Sequence, residues 1–278
     1  MRLELAGLAA RHPAAGAAGA APALMPVSLT IERGEQVAVI GPSGAGKTTL
    51  LHALACALRP SQGTLRLDGL DPWTLSVGAL QKLRGSLFLG PQAPPLPPRQ
   101  RVITAVLAGR LPRQSLWESL RSLAYPDDIE GARRALAAFD LEDKLWERVD
   151  RLSGGERQRV GLARALVAPA TLWLVDEPLS SLDPARATLA IDTLTREAKA
   201  RGVTLIASLH QVDVTRRFER VVGLRDGAMQ FDIAGAAVSP AQLAALYAQR
   251  EHELGGPTPP VPQASTAPGP VPGAILSR

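Results

Sequence analysis

Two glycines, a lysine and a threonine stand at fixed spacing in Gly41-Pro42-Ser43-Gly44-Ala45-Gly46-Lys47-Thr48, the form of a loop that cradles phosphates. A β-branched run, Gln36-Val37-Ala38-Val39-Ile40, precedes it, and helix formers follow through Thr49 to Ala55. Between a strand and a helix, such a loop turns successive backbone N–H groups inward on an anion, and the positive end of the helix adds to the attraction. Lys47 would meet the β- and γ-phosphates of a nucleoside triphosphate, and the Thr48 hydroxyl would sit on Mg²⁺.

Two further stretches carry chemistry. Thr171-Leu172-Trp173-Leu174-Val175 is an apolar strand that ends in Asp176-Glu177. Open α/β sheets bind ligands at the carboxyl ends of their strands, so both acids would arrive where the P-loop does. Asp176 would then hold Mg²⁺, directly or through water, and Glu177 would polarise an attacking water. Ser153-Gly154-Gly155-Glu156 opens a helical run reaching Ala165. Adjacent glycines at a helix start leave the N–H groups and the Ser153 hydroxyl open to an anion.

These residues need a frame. Short alternating runs at 2–5, 27–31 and 63–69 predict strands, as do 85–90, 203–208, 220–224 and 229–231. The helix after the P-loop is expected to end near Arg59-Pro60, and another is expected to open at Asp71-Pro72. A proline cluster runs from Pro91 through Pro98 and excludes helix there. From Val102 to about Val149 the pattern is helical, with Trp117 and Trp146 as expected packing residues. Helices are also expected from Ala185 to Ala200 and from Pro240 to about Arg250, the first lying between strands in a βαβ rhythm. Residues 252–278 are rich in Pro, Gly, Ala and Ser, which predicts a disordered tail.

Composition narrows the class. A chain of 278 residues with 46% hydrophobic but only 4% aromatic content builds an aliphatic core. The single Cys56 rules out an internal disulfide, fits a reducing compartment, and reads as a small buried residue on the helix after the P-loop. No apolar run reaches the ~18 residues of a membrane span, and the N-terminus lacks the apolar core of a secretory signal; a cytosolic chain is expected. Residues 82–164 hold 15 Lys and Arg against 10 Asp and Glu, which accounts for the whole net charge of +5. That excess could face anionic headgroups or a partner, or be a solvated helical surface; it is too dilute to argue for nucleic acid.

The set "GPSGAGKT", "LSGGERQR", "LWLVDEP", "SSLDP" and "SLHQVD", in that order, resembles the ATPase subunit of ABC transporters over about residues 1–250. The resemblance implies an α/β fold. Its parts are a RecA-like P-loop core with a parallel sheet, an N-terminal antiparallel β-subdomain, and an α-helical subdomain inserted at about 93–165, together forming a domain at 1–251. It implies ATP and Mg²⁺ as ligands, with Gly41 to Thr49, Ser153, Gly154, Gly155, Glu156 and Asp183 at the nucleotide. Gln92 would be the loop glutamine that touches Mg²⁺ and the membrane subunit, and Ser180 to Asp183 would cross a dimer interface. His210 would contact the γ-phosphate; a histidine there taken alone fits core packing better, and its place at the end of a predicted core strand after "DEP" tips the balance to the phosphate. His12 matches the position at which the family stacks an aromatic on adenine. The implied assembly is a homodimer with ATP sandwiched between one P-loop and the other copy's Ser-Gly-Gly, docked on membrane permease subunits and served by a solute-binding protein. The chain would lie peripherally on the cytoplasmic side of the inner membrane. "VLAGRL", "LWESL", "LEDKLWERVDRLSGG", "SLHQVDV" and "VVGLRDG" resemble the phosphonate-import subgroup. A soluble ABC-type ATPase, an importer for another substrate and a P-loop kinase are the alternatives; a kinase would leave Ser153 to Gly155 and Glu177 without a role.

Overall fold

The computed structural model describes residues 1–11, 22–124, 127–211 and 213–248. The phosphate-loop strand β3 (Gln36–Ile40) lies in the middle of a six-stranded sheet. Its order is β5 (Leu87–Gly90), β6 (Leu172–Asp176), β7 (Thr204–Leu209), β3, β8 (Arg220–Arg225) and β9 (Ala228–Ala234). All neighbours run parallel except the terminal β8–β9 hairpin, which turns at Asp226-Gly227. β1 (Leu3–Ala10), β2 (Leu24–Ile31) and β4 (Gln62–Leu67) form a separate antiparallel sheet in the order β2-β1-β4. An antiparallel N-terminal sheet beside a mostly parallel core is the architecture the sequence predicts.

Every residue of β3, β6 and β7 is buried, which requires cover on both faces. Alternation divides their side chains between two cores. Val37, Val39, Leu172, Leu174 and Ile206 pack with α1 (Lys47–Leu54) and the small sheet. Ala38, Ile40, Trp173, Leu205 and Ala207 pack with α7 (Pro184–Ala200) and the helical segment. Trp173 is completely buried, and its truncation to Ala would cost about 3–5 kcal/mol. The helical segment comprises α3 (Val102–Leu107), α4 (Leu116–Ala124), α5 (Ile129–Ala137) and α6 (Gly154–Val167). Its buried Val106, Leu136, Phe139 and Val160 belong to the same core as Trp173, so the insert is packed onto the sheet as one body.

Several boundaries differ from the sequence pattern. α1 stops at Leu54 rather than near Arg59, because the chain turns at Cys56 with φ 55° and Arg84 donates to the Cys56 carbonyl at 2.6 and 3.2 Å. Cys56 is buried as expected but sits in that turn, and burial pushes its thiol up to about 11. Asp71-Pro72 opens only a three-residue 3-10 turn; α2 (Val77–Arg84) starts afresh at the cap Ser76. The run after Val102 is broken by a 3-10 turn, Ala108–Arg113, containing Pro112. Trp117 and Trp146 do not pack: they are 77% and 49% exposed. α8 is Pro240–Leu246, shorter than expected. The tail predicted at 252–278 lies outside the described residues. No helix among the described residues is long and apolar enough to cross a membrane.

Candidate functional site

β3 runs straight into the glycine loop, and two of its glycines are fixed by space as well as by dihedral. A β-carbon on Gly41 (φ 151°) would lie 2.0 Å from the Leu224 carbonyl oxygen, and one on Gly46 (φ 95°) would lie 2.6 Å from that of Ala23. The Gly227 N–H donates to the Ala45 carbonyl at 3.2 Å, which ties the β8–β9 turn to the loop. Lys47 is 4% exposed, its ammonium donating to the carbonyls of Gly41 at 2.7 Å and Pro42 at 3.1 Å. Thr49 and Ala45 are buried, Thr48 is half-buried, and Ser43 and Gly44 form the exposed rim.

One edge of the sheet collects the remaining acid and amide groups. Asp176 ends β6 at the register partner of Ser208 in β7, and Ser208 Oγ donates to Asp176 Oδ1 at 2.5 Å. The next N–H, that of Glu177, donates to the same hydroxyl at 2.9 Å. Glu177 has φ 46°, a left-handed conformation that costs a non-glycine residue about 1–2 kcal/mol. The turn aims its carboxylate between two other strand ends. Gln92, just past β5, donates to Oε2 at 2.7 Å, and His210, just past β7, meets Oε1 through Nε2 at 2.5 Å. The hydrogen bond from His210 is the main influence holding the Glu177 carboxyl below its ordinary value; burial opposes it, and the charges of His210 and Lys47 help. An ionised carboxylate only accepts, so Nε2 carries the hydrogen. The P-loop, Gln92, Asp176, Glu177 and His210 therefore come together from the ends of β3, β5, β6 and β7.

Ser153 and its glycines form a second surface. Ser153 is the N-cap of α6: its Oγ accepts from the Glu156 N–H at 3.2 Å while Glu156 accepts from the Ser153 N–H at 2.8 Å, a closed capping box. That backbone bond lowers the Glu156 carboxyl pKa. Ser153 and Gly154 are exposed. Gly155 lies against the 180–183 loop, where an added β-carbon would be 2.9 Å from the Ser181 carbonyl oxygen. Asp183 caps α7 by accepting from the Arg186 N–H at 3.0 Å. His12 lies outside the described residues.

Ser208 is the site residue that the sequence pattern did not reveal. Its one signal is a hydroxyl inside an apolar strand, two residues before the histidine.

The family model described as ABC transporter matches residues 24–180. The phosphonates import ATP-binding protein PhnC 2 of Albidiferax ferrireducens is 65% identical over 257 residues, covering 92% of each chain. The protein of the same kind from Polaromonas sp. is 62% identical over 258 residues, covering 92% of this chain and 93% of its own. Among solved structures, the dimeric ATP-binding cassette MJ0796 in a post-hydrolysis state bound to ADP and Pi superposes with a TM-score of 0.70 at 26% identity, covering 84% of this chain and 98% of that one. With the phosphate loop, the acidic strand end and the Ser-Gly-Gly cap all in one fold, the chain belongs to the ABC transporter family and is one of its ATP-binding subunits.

Proposed function

We propose that this subunit hydrolyses ATP to energise phosphonate uptake through a separate membrane permease, lying peripherally on the cytoplasmic side of the inner membrane. The observation that carries the hydrolytic part is the Glu177 carboxylate, kept ionised at the strand edge by His210, held by Gln92, and within electrostatic reach of Lys47. The cargo rests on the relatives named for phosphonate import, which share up to 65% of this sequence.

The cradle fits a nucleotide with Mg²⁺. Gly41 and Gly46 let the loop pack tightly on neighbouring backbone, and at Gly44 on the exposed rim an added β-carbon would meet nothing within 4 Å, which leaves the loop's outer face open to a phosphate. Thr48, Asp176 and Gln92 offer only oxygens to a cation, the choice for a hard ion. No group of three or more His, Cys, Asp or Glu that could hold a metal stands among the described residues, so the ion would take its other ligands from phosphates and water. When bound, it would neutralise charge that develops on the phosphates.

Lys47 would exchange its loop carbonyls for β- and γ-phosphate oxygens. Glu177 would accept a hydrogen bond from the attacking water and draw off its proton. His210 would release Oε1 for that task and present its N–H to the γ-phosphate, while Gln92 would leave Oε2 and report the change to the permease. Ser153, Gly154 and Asp183 are exposed and, with Gly155 and Glu156, would serve the nucleotide of a second copy, which makes the working unit a dimer closed by ATP. The test is reconstitution in liposomes with a phosphonate permease and its solute-binding protein. ATP turnover that rises with methylphosphonate, and not with sulfate or inorganic phosphate, is the expected result. Turnover indifferent to phosphonate, or raised by another solute, overturns the cargo.

A further inference from the structure

We propose that Ser208 is a positioning residue that locks Asp176 and Glu177 into one arrangement at the hydrolytic edge. The inference rests on the reading above, in which Asp176 serves the cation and Glu177 the water. Ser208 is fully buried in β7, among Leu205, Ile206, Ala207 and Leu209. A buried hydroxyl is costly unless its bonding capacity is used, and here it is used on both acids.

The direction of each bond is forced. The Glu177 N–H can only donate, so Ser208 accepts there, and its single hydrogen goes to Asp176 Oδ1. One lone pair of Oδ1 is thereby taken, which leaves Oδ2 the less engaged oxygen for a cation. The same contact holds the left-handed turn at Glu177, a conformation that persists only where its surroundings fix it. Alternate residues of a strand share a face, so β7 braces the Glu177 backbone through Ser208 and reaches its carboxylate through His210, just beyond its end. One hydroxyl thus sets the spacing between a metal-side carboxylate and the neighbouring base. The sequence neighbours Asp176 and Glu177 cannot set that spacing alone, because the peptide between them can rotate.

The test compares Ser208→Ala, which removes both bonds, with Ser208→Thr, which keeps the hydroxyl, in the full chain. Binding of mant-ADP is titrated in EDTA and again with Mg²⁺, and ATP turnover is followed against Mg²⁺ concentration. Ser208→Ala should bind mant-ADP in EDTA within about twofold of wild type. Its Mg²⁺ requirement should rise about tenfold, and kcat should fall about ten- to hundredfold, as for other residues that orient metal ligands. Ser208→Thr should recover most of both. An Ala variant with the wild-type Mg²⁺ requirement and kcat overturns the proposal. So does one that loses EDTA and Mg²⁺ binding equally, since that reports loosened packing rather than positioning. Absence of Mg²⁺-dependent turnover in the wild type would count against the hydrolytic reading instead, and the two mant-ADP titrations would still read the Ser208 effect on their own.

Discussion

The strand-edge cluster and the Ser153 surface, the two regions proposed to meet phosphate, are finished to different degrees. At the strand edge, Glu177 is bonded through its backbone and both carboxylate oxygens, and Lys47 is folded into its own loop. The side-chain contacts of Glu177 and Lys47 are ones that a nucleotide or water would replace, while the Glu177 backbone bond to Ser208 stays. At Ser153 the capping box satisfies the helix end from within, and the Ser153 and Gly154 backbone stands open to solvent. The Ser153 hydroxyl accepts from the Glu156 N–H and itself bonds the Glu156 carboxylate. The strand-edge contacts tie side chains from three strand ends into one cluster, whereas the Ser153 end presents an exposed helix start.

Four substitutions or conditions would break or sharpen that contrast. Glu177→Gln should reduce turnover about 10²- to 10⁴-fold while ATP still binds, with an ATP-dependent dimer accumulating in size-exclusion chromatography. Undiminished hydrolysis would remove Glu177 from the role of base. Ser153→Arg should reduce turnover by about 10²-fold and prevent the dimer, yet leave mant-ATP binding to the single chain within about threefold. Equal loss of binding and hydrolysis would show the two surfaces to be one.

Gly155→Ala probes the join between the Ser153 helix and the 180–183 loop, since its β-carbon would press on the Ser181 carbonyl. A loss of about 1–3 kcal/mol in stability and a milder fall in turnover are expected, read by chemical denaturation and steady-state assay. Unchanged stability would mean that the loop yields freely. The smallest effect concerns pH. The Glu177 carboxyl is lowered from 4.5 mainly by the His210 hydrogen bond, so the pairing adds stability above that value and loses it as pH falls through the lowered one. The stability gap between wild type and His210→Ala should therefore shrink as the pH falls below 4.5. A constant gap would assign the His210 contribution to packing alone.

Much of this was legible in the sequence because glycine spacing and strand-end acids report local constraints. Gly41 and Gly46 are needed where backbone crowds backbone, and Asp176 follows a run that is buried on both sides. What escaped the sequence was set by contacts distant along the chain. Arg84 binds the Cys56 carbonyl and ends α1 early, and Ser208 meets Asp176 only through strand register. Trp117 misled for a related reason: size and apolarity favour burial on average, but α4 turns that ring to solvent.

The place of β3 in the sheet has a consequence for synthesis. Its two partners, β7 and β8, are among the last strands to be made, although the P-loop strand is among the first. At typical elongation rates, roughly 10–40 s pass before the nascent β3 can acquire both neighbours. Through that interval the phosphate loop exists as sequence without the strand pairing that shapes it. Nucleotide capture by this chain is therefore a late event in its biogenesis, and a ribosome stalled before residue 204 would release a product that carries the whole P-loop motif but lacks the strand that brings Ser208 and His210 to it.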